Sequence, residues 1–246
     1  PLYRAATGPE EELVCMLSHK CSNENHRLAG LIGAALAPHG VRLLIDGLRA
    51  GAEFNTGTQT LDFDGFLLLF TDDAWASAQC QLEIQSACRR RMPMFTAYVS
   101  GTLPDELTTT ITIWRPHFTD PGELRKDAEV LVRDMRTRVV LTRHLRSLTS
   151  ENPPDVTREA AKALTDSEAR NVVAEFAQDL AQGFSRVHDA TTRFWIAQAL
   201  GNAGTPEAAK ALRTLPSPDD PLVSKGIREA LLMIEGGDVN RKESNP

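Results

Sequence analysis

Five consecutive apolar residues, Phe66-Leu67-Leu68-Leu69-Phe70, stand between Gly65 and the polar Thr71-Asp72-Asp73. The run is too short for a buried helix and has no polar alternation. It reads as a strand with both faces to bury, which is the condition of an inner strand in a parallel sheet. The residues beyond it suit a helix. Ser77 is placed to cap one, and Cys80, Ile84, Ala87 and Cys88 form an apolar stripe at helical spacing. Glu83 falls at the margin of that stripe, where a carboxylate can lie half-buried beside the strand ends. A solvated helix glutamate is the other reading the spacing leaves open.

The same rhythm extends on both sides. Leu13 to Leu17, Val41 to Ile45, Pro93 to Val99 and Ile111 to Trp114 read as four further strands. Between them, Asn23 to Pro38 carries Leu28, Leu31, Ile32, Ala35 and Leu36 on one helical face, stopped by Pro38-His39-Gly40. A short helix is expected near 58–63. Gly122 to Leu148 reads as one long helix with Leu124, Ala128, Leu131, Val132 and Met135 inward. Strands alternating with helices imply right-handed crossovers and a parallel sheet. The fold class is α/β, a flavodoxin-like five-stranded sheet of order 2-1-3-4-5. In such sheets ligands bind at the carboxyl ends of the strands, where the order reverses between strands 1 and 3. That rule gathers Ser18, His19, Asp46, Phe54, Trp75 and Glu83 around one crevice. The glycines at 47, 51 and 57 match neither phosphate-binding fingerprint.

Composition narrows the function. A net charge of −6 leaves no footprint for nucleic acid, and Arg89-Arg90-Arg91 more simply complements a helix C-terminus. No apolar stretch is long enough for a membrane span, and Pro1 to Glu12 is too acidic and polar for a signal peptide. Pro1 in first place points to sequence before it. The four cysteines lack C-x-x-C spacing, so reduced thiols in a cytoplasmic protein are expected, with no metal site.

Three segments in series resemble a Toll/interleukin-1 receptor (TIR) domain. The first strand with Ser18 is similar to the family's first box. Leu44-Ile45-Asp46 followed by Gly51 resembles its second, the BB loop. Ser77-x-x-Cys80-x-x-Glu83 resembles the S-x-W-C-x-x-E signature of its third helix, with Gln79 in place of the tryptophan and Trp75 four positions earlier. Resemblance to the enzymatically active members implies NAD⁺ glycohydrolase activity, with Glu83 catalytic and NAD⁺ as substrate rather than cofactor. It places Ser18, His19, Asp46, Phe54, Trp75, Ser77 and Cys80 in the substrate site. It also implies homo-oligomerisation, with the BB loop 46–54 at the contact.

One carboxylate suffices for that chemistry. Glycosidases use two, because a poor leaving oxygen must be protonated. Nicotinamide in NAD⁺ already carries the positive charge and leaves neutral, so a glutamate that holds the ribose hydroxyls and faces the oxocarbenium-like sugar is enough. Capture by water gives ADP-ribose; capture within the molecule gives a cyclic isomer. A non-catalytic TIR scaffold and a nucleoside hydrolase of related fold are the competing readings.

After Pro153-Pro154 the composition turns to alanine-rich helices, expected at 157–164, 167–184, 189–200, 206–215 and 222–234. The pattern Ala199-Leu200-Gly201-x-x-Gly204-x-Pro206-Glu207-Ala208 resembles HEAT repeats, whose helix pairs bury their faces only against neighbouring pairs. The expected layout is a TIR domain at 10–148, a linker at 149–156, an all-α HEAT-like domain at 157–236 and a flexible tail at 237–246. The helical domain would receive a protein or ligand trigger. The two-domain plan parallels bacterial TIR proteins of anti-phage defence.

Overall fold

A computed structural model of the chain describes residues 11–45, 63–105, 112–149, 152–166, 169–215 and 220–243. The chain divides into two compact units, one reaching to Val139 and one starting at Val140. The segment 46–54 expected as a BB loop, with Asp46 and Phe54, lies outside the described residues, as do 58–62 of the short helix expected there.

The first unit runs β1 (Leu13–Ser18), α1 (Asn23–Leu36), β2 (Val41–Ile45), β3 (Gly65–Phe70), α2 (Asp72–Trp75), α3 (Ala78–Arg89), β4 (Met94–Tyr98), β5 (Thr112–Trp114), and then enters α4 (Pro121–Thr149). The strands form one sheet of order β2-β1-β3-β4-β5, parallel throughout, as the rhythm predicts. All six residues of β3 are buried, because strands flank it and helices cover both faces.

Side-chain alternation sorts the core into two layers. Cys15, Leu17, Leu67, Leu69, Phe95 and Ala97 meet α1 and the first part of α4. Met16, Phe66, Leu68, Phe70 and Met94 meet Ile84 and Ala87 of α3. Each phenylalanine of this second layer is worth roughly 1.5–3 kcal/mol of burial. Ser18 comes two residues after Met16, so it too faces the α3 side. One expectation fails: Cys88 is exposed. Successive steps of four residues overshoot the helical turn, and by Cys88 the drift from Cys80 is about 80°.

Local chemistry sets the ends of these elements. Ser22 caps α1, accepting from the Asn25 amide at 3.1 Å, and Thr71 caps α2, accepting from Ala74 at 3.1 Å. Ser77 occupies the N-cap position of α3, but its side chain makes no capping bond. Gln81 does related work: its amide donates to the Trp75 carbonyl at 2.8 Å and fastens α3 to α2.

The second unit holds the end of α4, α5 (Pro154–Ala163), α6 (Arg170–Glu175), α7 (Ala177–Arg186), α8 (Ala190–Ala203), α9 (Pro206–Thr214) and α10 (Pro221–Glu243). Its core joins Leu141, Leu145 and Leu148 to Leu164, Leu180, Phe184, Ile196, Leu200 and Leu212, among others. The helix expected over 167–184 is two helices, broken at Phe176 (φ −107°, ψ 24°). No Gly or Pro marks that break, and Phe176 packs on the core. The expected linker is shorter than 149–156, because Pro154 starts α5, where its fixed φ suits a first helical turn. Helix α10 continues to Glu243, into the stretch expected as a flexible tail.

Helix α8 packs against α5, α6, α7, α9 and α10. Asp189 caps it, accepting from the Thr192 hydroxyl at 2.6 Å and its amide at 2.8 Å. The Thr192 hydroxyl, its amide and Arg158 hold the Asp189 carboxyl below the usual range. Gly204 ends α8 in the left-handed region at φ 63°, and Thr205 caps α9 directly afterwards, with Pro206 in its first turn. The helix therefore runs through Gly201, where the sequence suggested a break. Gly201 serves close approach: a Cβ there would lie 2.7 Å from Ala230 Cα on α10. Gly201→Ala is therefore expected to destabilise this unit by about 1–3 kcal/mol, as overpacking does. Gly30→Ala on α1, where a methyl meets nothing within 4 Å, should be neutral or stabilising. Urea unfolding midpoints of the two variants check the contrast.

Candidate functional site

The carboxyl end of β1 and the first turns of α3 come together on the α3 side of the sheet. Ser18 Oγ donates to Glu83 Oε2 at 2.5 Å, the length of a hydroxyl bound to a carboxylate. Gln79 Nε2 donates to Glu83 Oε1 at 2.7 Å. Glu83 is only 4% exposed and Ser18 1%. A buried glutamate is costly unless its oxygens are bonded, and here both are. The two donors are neutral, and among the described residues no cation pairs with Glu83. The carboxylate is thus held in place without being neutralised by a salt bridge.

The location obeys the general rule for such sheets. β1 is flanked by β2 and β3, so the strand order reverses at Ser18, the place where sheets of this kind bind their ligands. His19 is the next residue. Its ring lies 4.7 Å from that of His26, and its Nε2 is buried with no hydrogen-bond partner among the described residues. Lys20 reaches Asp73 at 3.6 Å, both side chains being exposed, so the pair contributes at most about 1 kcal/mol.

Of the residues chosen from sequence, Ser18 and Glu83 are in direct contact and His19 adjoins them along the chain. Trp75 is half-buried at the end of α2, its ring 6.3 Å from that of Phe70. Ser77 opens α3 one turn before Gln81. Cys80 is on α3 and as buried as Ser18, at 1% exposed. Asp46 and Phe54 lie outside the described residues. Sequence reasoning missed Gln79 as a partner of Glu83, although a spacing of four along a helix was the available signal.

The Cys15 thiol adds no chemistry. Burial, with the Asp64 carboxylate adding to it, pushes the Cys15 thiol far above its usual range, and a thiol so held is unreactive. Among the described residues, no group of three or more His, Cys, Asp or Glu is placed to hold a metal ion, and no helix is long and apolar enough to cross a membrane. The helical unit has a cavity of about 520 Å³ between α7 and α9, lined by Gln178, Gln182, Ser185, Glu207, Lys210 and Thr214 among others. These side chains form no catalytic constellation.

No curated protein and no solved structure matches the chain. A family model described as HEAT repeats matches residues 142–232. That span covers the end of α4 and α5 through α9, and stops within α10. The C-terminal region of this chain carries HEAT repeats.

Proposed function

We propose that the first unit is a TIR domain that cleaves the nicotinamide–ribose bond of NAD⁺, with Glu83 as the catalytic carboxylate and self-assembly as the switch. The observation that carries this reading is the buried Glu83, held by Ser18 and Gln79 at the strand-order reversal and paired with no described cation. A carboxylate tied to an arginine has spent its charge. One held only by neutral donors keeps it for a positive charge that develops later, which is the electrostatic requirement of this reaction.

The steps balance simply. The C–N bond breaks and its electron pair stays on nicotinamide, which leaves neutral. Glu83 faces the oxocarbenium-like ribose and accepts from its hydroxyls. Water then adds through oxygen and sheds a proton, giving ADP-ribose; capture by another atom of the same molecule gives a cyclic isomer. Ser18 and Gln79 fix the carboxylate so that it need not reorganise. The orphaned Nε2 of His19 is a polar contact available to the substrate. The BB loop 46–54 is the segment proposed to meet a neighbouring copy, and the HEAT repeats are the part proposed to receive the trigger. A cytoplasmic bacterial defence protein is the setting that such a plan fits.

One observation favours a second reading, a non-catalytic TIR scaffold. Gln79 stands where the family signature has tryptophan and occupies one oxygen of Glu83, as a purely structural partner would. Nicotinamide release from NAD⁺ at low and high protein concentration separates the two. Release that rises faster than linearly is the expected result. No release at any concentration, with assembly intact by light scattering, would leave the scaffold.

A further inference from the structure

A second feature lies on the same edge and the same face of the sheet. Phe70, at the end of β3, is fully buried. Tyr98, at the end of β4, stacks beside it with ring centroids 6.1 Å apart and planes 13° from parallel. The Tyr98 hydroxyl donates to the Gly101 carbonyl at 2.8 Å, which fixes the ring. Above it lies the Arg115 guanidinium, 4.5 Å from the ring centroid. Trp114 packs into the opposite layer of the core, so the next residue along the chain emerges on the α3 side. Arg115 is exposed, and among the described residues no carboxylate pairs with it. Lys20, which follows β1 at this edge, is already paired with Asp73.

The placement relative to Glu83 comes from the register. Ser18 pairs with Leu68 across β1 and β3, and Phe70 pairs with Tyr98 across β3 and β4. Tyr98 is therefore two strands across and two residues further along than Ser18. At the usual spacings that is roughly 10 Å across and 7 Å outward, or about 12 Å in all. Trp75 stands against Phe70, on the strand between them.

We infer that Arg115, held over the Tyr98 ring, anchors the diphosphate of the dinucleotide whose nicotinamide ribose sits at Glu83. This rests on the NAD⁺ reading above and adds a subsite to it. The chain is acidic overall, so a dianionic diphosphate needs a specific cation rather than a general field. A guanidinium held over an aromatic ring has less side-chain freedom to lose, and its planar fork can donate to two phosphate oxygens at once, which a lysine ammonium does not. The carboxylate draws the developing cation while the guanidinium holds the anionic half away from it. The separation sets the register of the substrate along the edge.

The test uses the full chain, with ADP-ribose binding measured by calorimetry and with cleavage of NAD⁺ and of nicotinamide riboside, which lacks the diphosphate. Arg115→Ala is expected to weaken ADP-ribose binding and raise KM for NAD⁺ by about tenfold to a hundredfold. It should leave kcat and riboside cleavage unchanged, and Arg115→Lys should recover part of the loss. Arg115 is exposed, so these variants fold. If the wild-type chain binds ADP-ribose and Arg115→Ala does not, yet nothing is cleaved, the anchor stands and the cleavage reading falls. If NAD⁺ is cleaved with the same KM by Arg115→Ala, or the wild-type chain does not bind ADP-ribose, the anchor is overturned.

Discussion

Replacing Glu83 by glutamine is expected to lower nicotinamide release from NAD⁺ by about a hundredfold to a thousandfold, the usual cost of removing one preorganised electrostatic stabiliser. The substitution keeps shape and hydrogen bonding. The new amide oxygen still accepts from Ser18, and Gln79 can turn its own amide to present oxygen instead of nitrogen. On the mechanism proposed above, what is lost is the negative charge facing the ribosyl cation. The effect should therefore fall on kcat, with KM little changed and the unfolding free energy within about 0.5 kcal/mol of the parent. Ser18→Ala should cost less, since it removes a positioning bond and leaves the charge. Equal release by parent and Glu83→Gln would take the glutamate out of the reaction and return it to a structural role.

The second large effect is on stability. Phe70→Ala is expected to cost the first unit about 3–5 kcal/mol, read as a lower urea midpoint. Phe70 is fully buried in the layer that meets α3, and the rings of Tyr98 and Trp75 lie 6.1 and 6.3 Å from its own. Truncation would leave a cavity that neighbouring strands, fixed by their hydrogen-bond ladders, cannot collapse to fill. A cost below about 1 kcal/mol would show that the layer is much looser than the fully buried Phe66, Leu68 and Phe70 indicate.

Much of this architecture is legible in the chain. The unbroken apolar run of β3 dictates a strand covered on both faces, and the alternation of strands with helices then leaves few arrangements for the sheet. The Thr71 and Asp189 caps and the Gly204-Thr205-Pro206 junction arise from side-chain chemistry within a few residues. Errors cluster where the deciding contact is distant. Phe176 breaks a helix that has no local breaker, and Gly201 sits inside a helix because Ala230 needs the space. Cys88 is a different case: it is exposed because helical drift accumulates beyond a short stripe, which is local geometry.

The candidate site divides in the same way. Local pattern determines that residue 18 ends a strand, that residue 83 lies on the helix after the third strand, and that both belong near the carboxyl edge of a parallel sheet. These facts depend on periodicity, and periodicity is written in sequence. Only the folded sheet decides that Ser18 Oγ and Glu83 Oε2 meet at 2.5 Å across 65 residues, or that Arg115 comes to rest on Tyr98. Such pairs depend on strand register and on which face a side chain takes. A shift of one residue in register reverses every face at once, and register is set by the packing of both core layers together rather than by any one segment.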